Sequence, residues 1–206
     1  PYGPVKPSPI PGLYQVTILN GPTLYVSGDG KFFVAGDMFA IKPGMFVRLV
    51  VDVDEKALIA DRVESLSAIP AEEMIVFPAE GKRKAYINVF TDVDCGFCRK
   101  LHREVPALNA KGIEVRYLAY PRAGVGSGSY NKLATAWCSE NPEQALTKLK
   151  NRESLDMNVC ANNPVAKQFE LGGRLGVNGT PALVLADGTL IPGYKTADSL
   201  AKILGL

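Results

Sequence analysis

The chain has 206 residues, 47% of them apolar, and a formal net charge of +2. That supplies enough apolar material for one large core or two small ones, and a charge balance with no footprint for nucleic acid or an anionic membrane. No apolar run approaches the roughly 20 residues of a spanning helix.

The chain opens at Pro1 without a signal peptide, which fits a processed product whose leader has been removed. Residues 1–12 hold five prolines and read as an extended, poorly ordered entry. β-type signals follow. Tyr14–Ile18 and Thr23–Val26 are strand candidates separated by a turn at Asn20-Gly21-Pro22. Asp29-Gly30 marks a tight turn before Lys31–Val34. Lys42-Pro43-Gly44 precedes another strand candidate, Phe46–Val51. A module of about 60 residues buries little of its own surface, and pairing with a second copy through an edge strand or apolar face offsets that deficit. Residues 1–60 are therefore expected to form a β-rich dimerisation domain.

Between 61 and 80 the character changes to a linker or hinge. Asp61–Leu66 is polar and mildly helical, and Pro70 is placed to break that helix or to begin a new turn at Ala71-Glu72-Glu73. From 81 to 206 the order is strand, helix, strand. Ala85–Phe90 is β-favouring, and a helical pattern then runs through Leu101, Val105 and Leu108 on one side. Ile113–Ala119 alternates, and the right-handed crossover rule makes it parallel to the first strand. Helical patterns occupy about 129–174, including Cys138 and Cys160, with Trp137 as a core residue. Ala182–Leu185 and Thr189–Ile191 flank an Asp187-Gly188 hairpin turn, and Asp198–Leu204 closes the chain as an amphipathic helix.

The chemistry concentrates at Cys95-Gly96-Phe97-Cys98. Two cysteines three apart, delivered by a strand to the start of a helix, read as a dithiol redox centre, because amide groups at a helix start favour the reactive thiolate. The same spacing is half of a structural zinc site, which needs four ligands. The rest of the chain offers only Cys138, Cys160 and its single histidine, His102. Redox chemistry is the stronger reading, with no metal and no cofactor implied. If Cys95 and Cys98 are the active pair, Cys138 and Cys160 remain. They are either a structural disulfide, which implies an oxidising compartment, or two free buried thiols.

Several stretches carry a resemblance. They are Val89 to Cys98 with Lys100-Leu101-His102, Tyr117 to Arg122, Gly176 to Ala182 and Asp187 to Tyr194. Upstream, Asp29-Gly30-Lys31, Gly36-Asp37-Met38 and Glu73 to Val76 match as well. Together they resemble the thioredoxin superfamily, and more closely the periplasmic protein disulfide isomerases of the DsbC/DsbG type. The resemblance implies an α+β or α/β fold: a thioredoxin-fold catalytic domain with a helical insertion, joined by a linker helix to a small β-rich, cystatin-like dimerisation domain. It implies a homodimer that rearranges disulfides of misoxidised or unfolded clients in the periplasm, with some chaperone activity, kept reduced by a membrane electron donor of the DsbD type. A dedicated dithiol reductase and a holdase chaperone are the alternatives.

On the same grounds Cys95 is the exposed nucleophile and Cys98 the resolving thiol, with Gly96 and Phe97 completing the motif. Thr180 and a cis Pro181 bind substrate, and Cys138–Cys160 is a structural disulfide. Arg99 stands where family members often carry histidine. Val89 occupies the position at which many thioredoxins carry a buried acid, so proton transfer during resolution needs another group or water.

Overall fold

A computed structural model describes residues 2–18, 23–36, 38–42, 45–49 and 55–206, divided into two units, Pro1–Val53 and Asp54–Leu206. In the first unit β1 (Lys6–Pro7), β2 (Leu13–Thr17), β3 (Thr23–Ser27) and β4 (Phe33–Ala35) form an antiparallel sheet in that order. β5 (Met38–Lys42) and β6 (Met45–Leu49) form a separate antiparallel pair. The Asp29-Gly30 turn is built as its residues dictate. Asp29 Oδ1 accepts from Ser27 Oγ and from the Lys31 amide, and Gly30 takes a φ of 69°. With its amide committed to that turn, Lys31 stays out of the strand, which begins at Phe33. β1 and β5 were not among the sequence-predicted strands. The expected turns at Asn20-Gly21-Pro22 and Pro43-Gly44, the Val50-Val51 strand end and Asp37 of the resemblance lie outside the described residues.

The second unit begins with α1 (Glu55–Ser67). Leu58, Arg62 and Leu66, with Ile69 just beyond, make one buried or half-buried row at helical spacing. A 3-10 turn at Ala71–Glu73 starts directly after Pro70, as proline's fixed φ and missing amide favour. Segment 61–80, expected as a linker, thus lies inside the second unit, and the boundary between units falls before α1.

The sheet of this unit runs β11 (Leu190–Pro192), β10 (Ala182–Leu185), β8 (Ala85–Thr91), β9 (Ile113–Ala119), β7 (Ile75–Phe77). β8 and β9 are parallel, from Ala85 opposite Ile113 to Thr91 opposite Ala119, and the other pairings are antiparallel. Because side chains alternate across a strand, the sheet serves two cores. Ile87, Val89, Val115, Tyr117, Leu183 and Leu185 face one, and Phe90, Leu118, Ala182 and Val184 face the other with Leu66 and Leu175.

Around the sheet lie α2 (Gly96–His102), α3 (Val105–Ala110), α4 (Gly128–Trp137), α5 (Pro142–Lys150), α6 (Val165–Arg174) and α7 (Ala197–Ile203). Two expectations need correction. The pattern through Leu101, Val105 and Leu108 predicts one helix, but the structure breaks it at Arg103-Glu104. Pro106 sits in the first turn of α3, where its missing amide would otherwise have to bond the His102 carbonyl. The helical insertion is also interrupted: 151–164 is irregular. Cys138 caps the end of α4 and Cys160 lies in that irregular stretch, where Asn151, Asn158, Asn162 and Asn163 favour turns over helix.

Candidate active site

β8 ends at Thr91, and Asp92 starts the turn that carries the two thiols. Cys95 is the N-cap of α2, its sulfur 3.4 Å from the Cys98 amide that donates to it. The loop before β10 approaches from the other side. Thr180–Pro181 is a cis peptide, and the Cys95 thiol donates to the Thr180 carbonyl oxygen at 3.2 Å. The structure therefore brings Cys95, Cys98, Thr180 and Pro181 together, from positions more than 80 residues apart. Cys138 and Cys160 lie elsewhere, joined as a disulfide with their Cα atoms 5.8 Å apart.

The expectation of an exposed nucleophile needs correction. Cys95 is only 3% exposed and Cys98 fully buried, whereas Phe97 between them is 62% exposed. The physical reason is the Thr180 contact: a thiol that donates to a loop carbonyl is covered by that loop.

The two thiols ionise very differently. A hydrogen bond from the Cys98 thiol lowers Cys95 to about 5, against the opposing cost of burial, and the Cys98 amide and the Arg122 charge add to the effect. Burial raises Cys98, and the hydrogen bond to Cys95 raises it further. The thiolate is thus stored on Cys95 and the proton on Cys98.

Charges near the thiols are deployed differently from what the sequence suggests. Asp92 is an obvious opponent of a thiolate, but its carboxylate is buried and engaged. It accepts from Ser129 Oγ (2.5 Å), the amides of Asp94 (2.8 Å) and Arg122 (2.9 Å), and Arg122 Nε (3.3 Å). Burial raises its pKa, but these hydrogen bonds outweigh burial and leave it below the ordinary value. Asp94 pairs with Lys132 at 2.8 Å. Arg99 donates to the Val93 carbonyl, and Lys100 lies over the Tyr194 ring. A cation that does lower the Cys95 pKa is Arg122, at the end of the Tyr117–Arg122 stretch.

His102 is buried. Its Nδ1 lies 3.0 Å from the Tyr117 hydroxyl and its Nε2 3.0 Å from Thr147 Oγ1. Thr147 already donates its proton to the Glu143 carbonyl, so Nε2 carries the ring proton and Nδ1 accepts from Tyr117. Burial, then the charge of Lys150, lowers His102 to about 4, and the ring is neutral. Both ring nitrogens of His102 are thus engaged in hydrogen bonds, and Cys138 is bonded to Cys160.

Residues 70–206 match the model of a thioredoxin-like domain, and residues 3–48 match that of a disulfide bond isomerase protein N-terminal domain. The thiol:disulfide interchange protein DsbC of Escherichia coli is 36% identical over 200 residues, covering 97% of this chain and 80% of that protein. The chain belongs to the DsbC family. The DsbC of Haemophilus influenzae is 37% identical, covering 97% of this chain and 82% of its own length. Among solved structures, a disulfide interchange protein from Neisseria gonorrhoeae superposes with a TM-score of 0.59 at 29% identity, covering 66% of this chain and 96% of that one. The catalytic domain of Proteus mirabilis ScsC, at 20% identity and a TM-score of 0.60, shares the fold over 73% of this chain and 96% of its own.

In this DsbC-type chain the sequence reading missed Lys150, Arg122 and Ser129. Arg122 closes the matched stretch Tyr117 to Arg122 and could have been flagged. Lys150 carried no signal, since a lysine in a helix's last turn ordinarily sits in water.

Proposed function

We propose that this chain is a periplasmic disulfide isomerase that rearranges non-native disulfides in client proteins. The observation that carries the reading is the unequal thiol pair: a Cys95 sulfur held as thiolate beside a Cys98 held as thiol. The thiolate attacks a client disulfide, the Cys95–client disulfide forms, and one client thiolate leaves. That thiolate, or another client thiol, attacks back and creates a different pairing with no net oxidation. When rearrangement stalls, Cys98 displaces the client and leaves it reduced. Gly96 and Phe97 shape the motif, and the backbone of Thr180 beside Pro181 offers strand-like hydrogen bonds to a client segment.

The Cys138–Cys160 disulfide supports an oxidising compartment, and a membrane electron donor of the DsbD type would keep Cys95 and Cys98 reduced. Phe33 and Val34 on the edge strand β4, with Phe32, Phe39 and Ile41, are exposed. These exposed apolar side chains support homodimerisation through the first unit and a chaperone-like hold on unfolded clients. Refolding of a scrambled multi-disulfide protein tests the reading: Cys95→Ser abolishes recovery of activity. Full recovery with Cys95→Ser would instead identify a holdase. A Cys98→Ala trap that captures only one or two clients would identify a dedicated reductase.

A further inference from the structure

One lysine among the described residues is removed from water. Lys150 ends α5 yet is 3% exposed. Its Nζ donates to Thr91 Oγ1 at 2.5 Å and to the Asp92 carbonyl at 3.0 Å, the last strand residue and the first turn residue before the thiols. The Tyr117 ring lies 5.8 Å from Nζ. Both hydrogen-bond acceptors are neutral, so no carboxylate contact compensates a buried ammonium here. The charged and titratable groups facing it are Cys98, Cys95 and Asp92, which favour the ammonium, Arg99, which opposes it, and His102 and Tyr117. Val89 is fully buried in the sheet, so β8 supplies no acid beneath the thiols.

We propose that Lys150 is the proton acceptor for Cys98 when the Cys95–client disulfide is resolved, an inference that rests on the thiol-exchange reading above. In this step the neutral Lys150 amine takes the Cys98 thiol proton. Cys98 sulfur attacks Cys95 sulfur, the Cys95–Cys98 bond forms, and the Cys95–client bond breaks. The client leaves as a thiolate and Lys150 is left as ammonium, so charge and electrons balance. The client thiol is reduced and the Cys95–Cys98 pair oxidised.

Burial brings Lys150 down to about 8, against the charges of Cys98, Asp92 and Cys95. Capping Cys95 with a client removes one of those charges, so the amine becomes easier to reach at the moment Cys98 must lose its proton. The same capping removes the Cys95 contact that holds the proton on Cys98. His102 cannot serve instead, because its ring is tied to Tyr117 and Thr147.

The test separates the two steps. Rapid mixing with a peptide disulfide, acid quench and mass analysis follow formation and decay of the Cys95–peptide adduct. Lys150→Met is expected to slow decay at least tenfold, with the adduct accumulating. Attack by Cys95, measured in the Cys98→Ala background, changes less than threefold. Lys150→Arg keeps a cation that does not surrender its proton, so decay stays slow; a wild-type rate with arginine would overturn the proposal. Unchanged decay in Lys150→Met would overturn it too, leaving the isomerase reading intact. Absence of any Cys95–peptide adduct in Cys98→Ala, where resolution is blocked, would overturn both.

A readout that needs no substitution at residue 150 is the carbon-13 titration of lysine side chains in protein alkylated at Cys95. One lysine is expected to titrate at or below about pH 8, and the proposal falls if every lysine titrates above pH 10.

Discussion

Cys95 carries most of its chemistry through hydrogen bonds rather than through the acids and bases beside it in the sequence. Its pKa falls from 9.0 to about 5 in the fold, and that shift is also a statement about stability. Between those values the unfolded reduced chain binds a proton that the native one has released, so this contribution grows as pH rises from 5 to 9 and is lost as pH falls through 5. The unfolding midpoint of the reduced protein should therefore exceed that of Cys95→Ser at pH 7. The gap should close by about pH 5 in parallel denaturant titrations, and a gap independent of pH would contradict the assignment. Arg122→Gln should move the Cys95 ionisation midpoint upward by less than about one unit, because Arg122 ranks behind the Cys98 hydrogen bond among the causes of the shift. The dithiol motif itself was legible because its meaning is local: two sulfurs, one helical turn apart. Thr180 and Pro181 came to the site only through the family resemblance, because their contact with Cys95 closes across 85 residues and no spacing announces it.

At the scale of elements, α1 shows how a helix that reads as a polar connector becomes part of a fold. Asp61–Leu66 has the composition of a solvated face, yet Arg62 is buried, with Nε donating to the Leu175 carbonyl at 2.9 Å and Nη1 to the Gly188 carbonyl at 3.2 Å. Long-range backbone acceptors of this kind leave no trace in helical periodicity. Gly188 completes the seat: its φ is 82°, and a Cβ there would lie 2.5 Å from the Ile59 carbonyl oxygen. The Asp187-Gly188 hairpin was legible from its turn chemistry, but its second duty as the floor under α1 was not. Arg62→Ala should lower stability by about 2–3 kcal/mol through lost charge-assisted hydrogen bonds, and Gly188→Ala by about 1–3 kcal/mol through left-handed strain, both read by chemical denaturation. Losses below 0.5 kcal/mol for both would mean that α1 is only loosely seated. The break between α2 and α3 was legible in principle, since Pro106 is in plain view. The continuous apolar stripe through Leu101, Val105 and Leu108 outweighed it in the sequence reading because it spans both helices.

For the whole molecule, the two matched family regions and the two compact units divide the chain similarly, at residue 48 or 53 against 70 or 54. The first unit presents Phe33 and Val34 on an edge strand, exposed at 66% and 65%, which a lone soluble sheet would ordinarily blunt with charge. Sedimentation equilibrium at micromolar concentration should give twice the 22.1 kDa chain mass, and Phe33→Asp should shift the population toward monomer while leaving the thiol chemistry unchanged. A purely monomeric parent would remove the dimer from the account.

The most direct test of the unequal thiol pair is alkylation of the fully reduced protein as a function of pH, with each modified cysteine located by mass spectrometry. Modification of Cys95 should rise with a midpoint near pH 5, while Cys98 stays unmodified until well into the alkaline range. Joint modification of both cysteines with one midpoint between about pH 8 and 9, the range of an ordinary thiol, would contradict the account at its centre.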